Sequence, residues 1–482
     1  MGEEESDGKT HRNRLENRFR KPFWILSFIS VCATVALFLA NRPDRLIRVG
    51  TALTSHTICS ETFVAGLDPA TAYREILKPM PRMWLIDWGL KIRVDEIHRQ
   101  VTASVEGLFE NRAVYRPGLG CLVVHGAIPQ DPPPLAQTTP KQEGNLHPEK
   151  EIDTSEPGLD RALDREFTEP KGFSYRRTQA VVVMHDGHII AERYAPGIGP
   201  DTPLLGWSAT KSVTSTLIGI LVREGRLSVD QPAPVPAWQT PGDPRKMITI
   251  DELLRMTSGI DLDERDTGLD PWTQTLFLER DMAGFVEQSG LESRPGTRWN
   301  YTGANATILS RILRDAVGGN ARDVVRFARR ELFDPLGMRH VTLEFDATGT
   351  PVGAAYMFAS ARDWARFGML YADDGVIGGH RILPNGWARY SASPTPGAPW
   401  GYGAGFWTNI GTSRGASDRK RMGMPGDSFF ASGLLGQYVV VVPSKHLVVA
   451  RFGETQNWPD FDIDGVSRLV SDVIAALKDR TK

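Results

Sequence analysis

Ser208-Ala209-Thr210-Lys211 is followed by the largely apolar residues 212–222, and together they predict a helix buried in the centre of a domain. The serine and the lysine are three residues apart, so their side chains lie on one face of that helix, one turn from each other. The helix N-terminus carries free N–H groups and the positive end of the dipole, which stabilise negative charge near the serine. A lysine amine removed from water favours its neutral form and can accept the serine proton. The pattern predicts a nucleophilic serine, with a helix-capping serine and a solvated lysine as the alternative.

Composition and charge narrow the class of protein. The 482 residues suffice for one large domain and a smaller one, and 41% hydrophobic with 24% charged residues is typical of a globular protein. A formal net charge of −2 gives no basis for nucleic-acid binding. The sequence has no Cys-x-x-Cys pair and no Gly-x-Ser-x-Gly motif, which argues against a metal site and against a Ser-His-Asp triad on an α/β-hydrolase fold. No metal or organic cofactor is predicted.

An uncharged apolar segment over residues 23–40 predicts a transmembrane signal anchor, because it is just long enough to cross a bilayer as a helix. Basic residues concentrated between positions 9 and 21 favour a cytoplasmic tail over residues 1–22. A cleaved signal peptide is the alternative, although Phe38-Leu39-Ala40 is a poor cleavage site. We therefore expect a single-pass protein of the inner (cytoplasmic) membrane with its catalytic domain in the periplasm or on the extracytoplasmic side.

The cysteines are consistent with that topology. Cys32 lies in the apolar segment, and only Cys59 and Cys121 follow it. In a non-cytoplasmic compartment such a pair predicts a disulfide. Two buried free thiols are the alternative.

The remainder of the chain divides into three predicted parts, with a small N-terminal extracytoplasmic segment over residues 41–128, a Pro-rich linker over 129–154 and the catalytic domain over 155–482. In the catalytic domain, a hairpin at 178–194 and apolar strands at 438–442 and 447–450 lie at the two ends. Helices are predicted between them, at 212–223, 250–256, 304–317 and 320–333, and a last helix at 466–477. This order predicts an α+β fold, in which both ends of the domain build one antiparallel sheet and a helical subdomain is inserted.

Further motifs follow the serine in a fixed order. Four segments make up this set. They are residues 248–259, Arg294-Pro295-Gly296-Thr297-Arg298-Trp299-Asn300-Tyr301-Thr302-Gly303, Leu332-Phe333-Asp334-Pro335-Leu336-Gly337-Met338 and residues 359–368. With Ser-x-x-Lys, this set resembles the serine β-lactamase and penicillin-binding superfamily over about residues 155–475. It is most similar to the class C-like branch, which includes esterases, D-aminopeptidases and 6-aminohexanoate-dimer hydrolases.

The resemblance implies roles for three side chains. Ser208 would be the acylated nucleophile, Lys211 its proton acceptor, and Tyr301 the phenol that bonds the serine and passes a proton to the leaving group. Without the resemblance, Tyr301 also fits an aromatic residue packed in the core at a helix entry. Gly303 stands where the family usually has an asparagine.

The third motif of the family departs further from its usual form. Ala431-Ser432-Gly433 takes the place of Lys-Thr-Gly, so the resemblance implies no lysine to attract a substrate carboxylate. The backbone N–H groups of Ser208 and Leu434 would form the oxyanion hole. Gly433 would admit a substrate close to the backbone, with a glycine at a strand bulge as the alternative.

These features predict a membrane-anchored serine hydrolase that cleaves small esters or amides through a Ser208 acyl-enzyme. Its expected partners are the substrate and the membrane, without nucleic acid. Two alternatives stay open at this level. One is a penicillin-binding-type sensor or binding module that acylates without turnover, and the other is a true β-lactamase or D-Ala peptidase.

Overall fold

The computed structural model describes residues 42–130, 151–172 except 153 and 155, 176–265, 268–456 and 460–479, together with Ser30. Apart from Ser30, the predicted membrane span at 23–40 lies outside the described residues, as do residues 131–150 of the predicted linker. Within the part that is described, none of the helices has the length and hydropathy needed to span a bilayer.

An N-terminal unit, residues 43–123, packs a long helix against a four-stranded sheet. Its helices are α1 (Pro43–Phe63), α2 (Pro69–Ala72) and α3 (Trp84–Asp87), with a π-helical turn at Tyr73–Leu77. Its strands, antiparallel in the order β1-β2-β3-β4, are β1 (Leu90–Asp95), β2 (Gln100–Val105), β3 (Leu108–Arg116) and β4 (Gly120–Val123). A disulfide between Cys59 and Cys121 joins α1 to β4, with the two Cα atoms 6.1 Å apart.

The rest of the chain is built around a six-stranded antiparallel sheet in the order β12-β13-β14-β15-β5-β6. The strands of this region are β5 (Thr178–His185), β6 (His188–Tyr194), β7 (Leu204–Leu205), β8 (Thr342–Leu343), β9 (Met357–Ala359), β10 (Val376–Ile377), β11 (His380–Arg381), β12 (Trp407–Thr408), β13 (Phe429–Gly433), β14 (Gln437–Val442) and β15 (Leu447–Gly453). Val449 of β15 lies opposite Val183 of β5, so the two ends of the domain meet in one sheet. The predicted α+β architecture with an antiparallel sheet is confirmed.

Helices cover both faces of this sheet and fill the space between its two ends. They are α4 (Pro157–Phe167), α5 (Thr210–Arg223), α6 (Ile250–Leu254), α7 (Pro271–Leu278), α8 (Met282–Glu287), α9 (Gly303–Val317), α10 (Ala321–Ala328), α11 (Ala361–Ala372), α12 (Trp387–Ala392), α13 (Arg414–Arg421) and α14 (Ile463–Asp479). One sheet face packs on α4 and α14, and the other on α11. The helix α5 is buried along most of its length, because serine, threonine and apolar side chains alternate around it and the hydroxyls find carbonyl partners.

Local capping explains why the predicted helices begin where they do. Thr249 and Glu252 form a capping box at the start of α6, and the Thr302 hydroxyl accepts the Ala304 N–H at the start of α9. Such caps satisfy N–H groups that have no partner inside the helix.

The N-terminal unit packs directly on the catalytic region. Leu434 and Leu435, in the turn between β13 and β14, join the apolar core of the N-terminal unit. Nearby, the Ser60 hydroxyl and the Cys121 N–H both donate to Glu344 Oε1, at 2.8 Å each. This interface lies next to the end of β13, where the third family motif was predicted.

Candidate active site

A strained turn presents Ser208 at the head of α5. The turn is a short 3-10 segment, Trp207–Ala209, and Trp207 has a φ of +45°, in the left-handed region. The preceding Gly206 lies so close to Trp364 that a Cβ atom would be 2.3 Å from the indole Cζ2. A non-glycine residue at positive φ is uncommon and persists only where the surroundings hold it. The packing around this turn therefore fixes the direction of the Ser208 side chain.

The Lys211 amine lies against the serine hydroxyl. Its Nζ atom is 2.8 Å from Ser208 Oγ and donates to the carbonyl oxygen of Ala354 at 3.0 Å. The residue is 4% exposed. A lysine held at hydrogen-bond distance from a serine in a water-poor site can act as its general base.

Tyr301 lies on the other side of the lysine, in the loop that enters α9. The Lys211 Nζ atom is 4.9 Å from the centroid of the tyrosine ring. The ring also packs on Tyr402, at 5.8 Å, and on Trp407, at 5.2 Å. Together with Trp299, which contacts all three aromatic residues, they form what we call the aromatic cluster. The structure thus brings Ser208, Lys211 and Tyr301 together, in the arrangement that the resemblance implies.

Trp272 fills the space at the position where the family usually has an asparagine. A Cβ atom on Gly303 would lie 2.1 Å from Trp272 Cη2, so only glycine fits there. The indole is buried, and its ring centroid is 5.7 Å from Lys211 Nζ. An apolar ring therefore lines the site where a side-chain amide would offer hydrogen bonds.

A buried carboxyl group that the motifs do not indicate completes the surroundings of the lysine. Glu264 Oε1 is 3.9 Å from Lys211 Nζ, and Glu264 Oε2 accepts the backbone N–H of Gly303. Burial raises the pKa of Glu264, and Asp270 adds to this, whereas the charge of Lys211 and the Gly303 N–H lower it in part. The carboxyl group also adds to the effect of burial and of Tyr301 in raising the pKa of Tyr402. Lysine, glutamate and two tyrosines thus form one electrostatically coupled group.

The segment Ala431-Ser432-Gly433 ends beside the turn that carries Ser208. A Cβ atom at Gly433 would lie 2.1 Å from the carbonyl oxygen of Gly206, so glycine allows β13 to pass directly beside the turn that carries Ser208. Ala431, two residues earlier on β13, is fully buried in the core on the sheet face that packs against α11. At the position of the family lysine, this chain therefore has a buried methyl group. Leu434 follows directly after the close approach of the two backbones.

Sequence reasoning missed Glu264 and Trp272. Glu264 lies in a stretch of scattered acidic residues, Asp261-Leu262-Asp263-Glu264-Arg265, which has no helical or strand periodicity. Trp272 is the second residue of α7, and an aromatic residue at the start of an apolar helix is typical of core packing. The one signal in the sequence was Gly303, because a glycine in place of the family asparagine leaves room for a bulky neighbour. No cluster of metal-ligating side chains occurs among the residues that the structure describes.

The fold and the Ser-x-x-Lys geometry define a class of protein, the active-site serine hydrolases with a lysine base. The β-lactamase family matches residues 164–470, and the chain belongs to this family. It is 25% identical over 308 residues to the 6-aminohexanoate-dimer hydrolase of Paenarthrobacter ureafaciens, a match that covers 59% of this chain and 74% of the relative.

Solved structures show the same fold. A family VIII carboxylesterase superimposes with a TM-score of 0.52 at 16% identity, over 67% of this chain and 97% of the esterase. A penicillin-binding protein homologue from Caulobacter crescentus superimposes with a TM-score of 0.52 at 18% identity, over 66% of this chain and 97% of the homologue. The family match and the Ser-x-x-Lys geometry identify the protein as a serine hydrolase of the β-lactamase-related family.

Proposed function

We propose that this hydrolase cleaves small neutral esters or amides through an acyl-enzyme on Ser208, and that it works on the extracytoplasmic side of a membrane to which residues 23–40 anchor it. The observation that carries the catalytic part is the 2.8 Å contact between Lys211 Nζ and Ser208 Oγ in a buried site. Such a contact prepares the hydroxyl for nucleophilic attack.

Acylation follows from this geometry. Ser208 Oγ bonds to the substrate carbonyl carbon while its proton passes to Lys211 in the neutral form. The backbone N–H groups of Ser208 and Leu434 stabilise the oxyanion, and one such donor typically contributes about 10²–10³ in rate. The bond to the leaving group then breaks, and the leaving group receives a proton through Tyr301. In deacylation, water gives its proton to the same relay, attacks the ester and releases Ser208 with its proton restored.

The lining of the site supports neutral, partly apolar substrates. Ala431 replaces the cation that would attract a substrate carboxylate, and Trp272 replaces an amide. The aromatic cluster adds further apolar surface beside Tyr301. The relative from Paenarthrobacter ureafaciens is named for the 6-aminohexanoate dimer, which supports cyclic or linear ω-amino-acid amides as one substrate group to screen. Of these, the cyclic amides fit a site for neutral substrates, because the linear ones carry a charge at each end.

The topology proposal rests on the uncharged segment at 23–40 and the basic residues before it. The disulfide between Cys59 and Cys121 supports it, because such bonds persist in oxidising compartments. With the predicted segment boundaries, residues 41–128 and the linker at 129–154 would separate the bilayer from the catalytic domain.

The test is steady-state hydrolysis of p-nitrophenyl butyrate by the full chain in detergent micelles. We expect sustained turnover that falls by at least about 10³-fold in Ser208→Ala, because the covalent step is lost. Ser215→Ala is the matched control, since this serine lies two turns further along α5 and donates only to the carbonyl of Ala404; its activity should stay close to that of the wild type.

Two other outcomes would each overturn a part of the proposal. Equal turnover in Ser208→Ala would exclude this serine as the nucleophile. A single stoichiometric burst of p-nitrophenol, with no later turnover, would instead identify an acylated sensor.

A further inference from the structure

Two tryptophans of the N-terminal unit are strongly exposed. Trp84 and Trp88 are 73% and 74% exposed, and they lie one helical turn apart at the start of α3 and directly after its end, so they project from the same face. Leu108, 64% exposed, lies close by, because the Glu106 N–H donates to the Gly89 carbonyl and holds the turn between β2 and β3 beside Trp88. We call these three side chains the tryptophan patch.

The patch lies near the end of α1 at which the chain enters the unit. The helix α3 packs on α1 at Gly50, where a Cβ atom would lie 2.6 Å from Ile86 Cδ1. Leu108 lies beside the same turn of α1, because the Thr51 hydroxyl donates to the carbonyl of Phe109, the residue after Leu108. Gly50 follows the helix start at Pro43 by two turns, about 10 Å along the axis. The predicted membrane span ends just before this helix start.

Basic side chains surround the patch and outnumber the acidic ones. The basic ones are Arg42 and Arg48 on or before α1, and Lys78, Arg82 and Lys91 around α3 and β1; Arg45 instead donates to Gln274 of α7. The acidic ones are Asp44, Asp87, Glu106 and Glu110. Three of these are within ion-pair distance of a basic neighbour: Asp44 of Arg42, Asp87 of Lys78, and Glu106 of Lys91. The net charge of the surface is therefore weakly positive, and the exposed apolar area is its stronger property.

We propose that the tryptophan patch docks on the anionic surface of the phospholipid bilayer, with Trp84 and Trp88 at the level of the lipid headgroups. Tryptophan is enriched at that level because its ring is apolar and its N–H is polar. Arginine and lysine next to it are attracted by anionic lipids. The headgroup region is about 5–8 Å deep on each side of the bilayer, so a patch about 10 Å along α1 reaches it when α1 is tilted from the bilayer normal, and the exposed aromatic pair gains apolar contact there.

Docking would give the protein a second contact with the bilayer. A single membrane-spanning helix leaves the attached domain free to turn about the point of attachment, whereas a second contact fixes its orientation. This inference rests on the anchor in the proposed function and not on the chemistry of Ser208. The other occupant to consider is the same patch of a second copy of the chain.

The experiment uses the full chain in a Trp24→Phe background, since Trp24 lies in the predicted span. It is reconstituted in phosphatidylcholine–phosphatidylglycerol vesicles whose acyl chains carry bromine near the headgroups, which quenches nearby tryptophan fluorescence. We expect a quenched component that falls at least twofold in Trp84→Ser/Trp88→Ser. The matched control is Trp400→Ser, an exposed tryptophan of the catalytic region, and it should keep the quenched component.

Three results would overturn the proposal. The first is equal quenching in the double variant and its parent. The second is a protein that does not float with the vesicles. The third is a dimer that the double variant converts to a monomer while quenching stays unchanged, which would assign the patch to a second copy. Turnover of a soluble p-nitrophenyl ester should be the same in the double variant and its parent, so a failure of the catalytic proposal would be recognised separately.

Discussion

Lys211 lies beside a hydroxyl, a carbonyl and a carboxyl group in the buried site, and each affects the proton on its amine differently. The Ser208 hydroxyl supplies a proton, the Ala354 carbonyl holds the amine in place, and the Glu264 carboxyl group lies 3.9 Å away. When Glu264 is ionised, its negative charge favours a proton on the lysine, which is the form that cannot act as a base. We therefore expect Glu264 to influence the pH at which the serine is activated.

This gives a prediction for Glu264→Gln. Burial raises the pKa of Glu264, but wherever the carboxyl group is ionised its charge favours the protonated form of Lys211. Glutamine keeps an acceptor for the Gly303 N–H but carries no negative charge, so the lysine becomes a base at lower pH. We expect the acidic limb of kcat/KM to move to lower pH, as a profile from pH 4 to 9 would measure.

The control for this prediction is Glu279→Gln, since Glu279 bonds to Gln274 at the surface. It should leave the profile unchanged. An acidic limb at the same pH in Glu264→Gln and the wild type would show that the carboxyl group has no part in the titration.

At the scale of single residues, a local motif was enough to place the centre of the site. Ser208 lies in the 3-10 turn that leads directly into α5, and Lys211 lies in the first turn of α5, so their spacing alone brings them together. Glu264 and Trp272 come from other segments and reach the lysine only through folding of the chain. No spacing rule connects them to α5, and for this reason the sequence could not predict them.

Among the elements, β13 carries the tightest constraint at the site. Its last residue, Gly433, lies against the backbone of Gly206, where a methyl group would come within 2.1 Å of a carbonyl oxygen. A backbone atom cannot rotate away as a side chain can. The strand would have to shift, and with it the Leu434 N–H that we assign to the oxyanion hole.

We therefore expect Gly433→Ala to lower kcat by about 10²-fold while the protein stays folded, because small displacements of catalytic groups are costly. Steady-state kinetics with p-nitrophenyl butyrate and circular dichroism would measure both. Gly426→Ala is the control, since its Cβ atom would meet only the flexible Lys420 side chain at 3.6 Å. Unchanged kcat in Gly433→Ala would remove β13 from the oxyanion hole.

The helices and strands that could be predicted from the sequence are those with long runs of patterned apolar residues. The hairpin of β5 and β6 and the helices α5 and α9 follow from apolar runs with clear turns or caps, and their predicted bounds agree within a few residues. The apolar residues Val94, Ile97, Val101, Ala103 and Val105 predict strand structure without a division, whereas the structure has two strands there, β1 and β2, joined by a turn. The apolar positions change phase once, between Val94 and Ile97, and a single change of phase is too weak a signal to mark a turn.

On the scale of the whole molecule, buried carboxyl groups lie where the N-terminal unit meets the catalytic region. Glu61, Glu344 and Glu454 are all buried. Burial and the charge of Glu344 raise the pKa of Glu61 to about 8, and burial and the charge of Glu61 raise that of Glu454. The packing of the two parts therefore favours the protonated forms of Glu61 and Glu454, which would lose their protons in water.

The sign of the pH dependence follows from Glu61. In the unfolded chain this carboxyl group ionises near pH 4.5, whereas in the folded protein it does so only near pH 8. Between these values the folded state binds more protons, so the free energy of unfolding falls as the pH rises. The contribution is fully present below about pH 4.5 and is lost by pH 8, with an upper limit of about 5 kcal/mol.

We expect the Tm of the wild type to fall between pH 5 and pH 8, and that of Glu61→Gln to fall less. Thermal unfolding at several pH values in one detergent would measure this. Glu96→Gln, on the exposed turn between β1 and β2, should behave as the wild type does. If Glu61→Gln and the wild type have parallel curves, the carboxyl group is not protonated in the folded protein at neutral pH.

The core shared by the two parts has a consequence for modularity. The family match begins at residue 164, but the apolar core around the nucleophile helix continues into α1 through Val49 and Ala52. The region that matches the family is therefore shorter than the region that shares one apolar core. A fragment cut at the family boundary would leave Leu434 and Leu435 uncovered beside the catalytic serine. We therefore expect the smallest fragment that folds and is active to include the N-terminal unit, although the catalytic motifs lie entirely outside that unit.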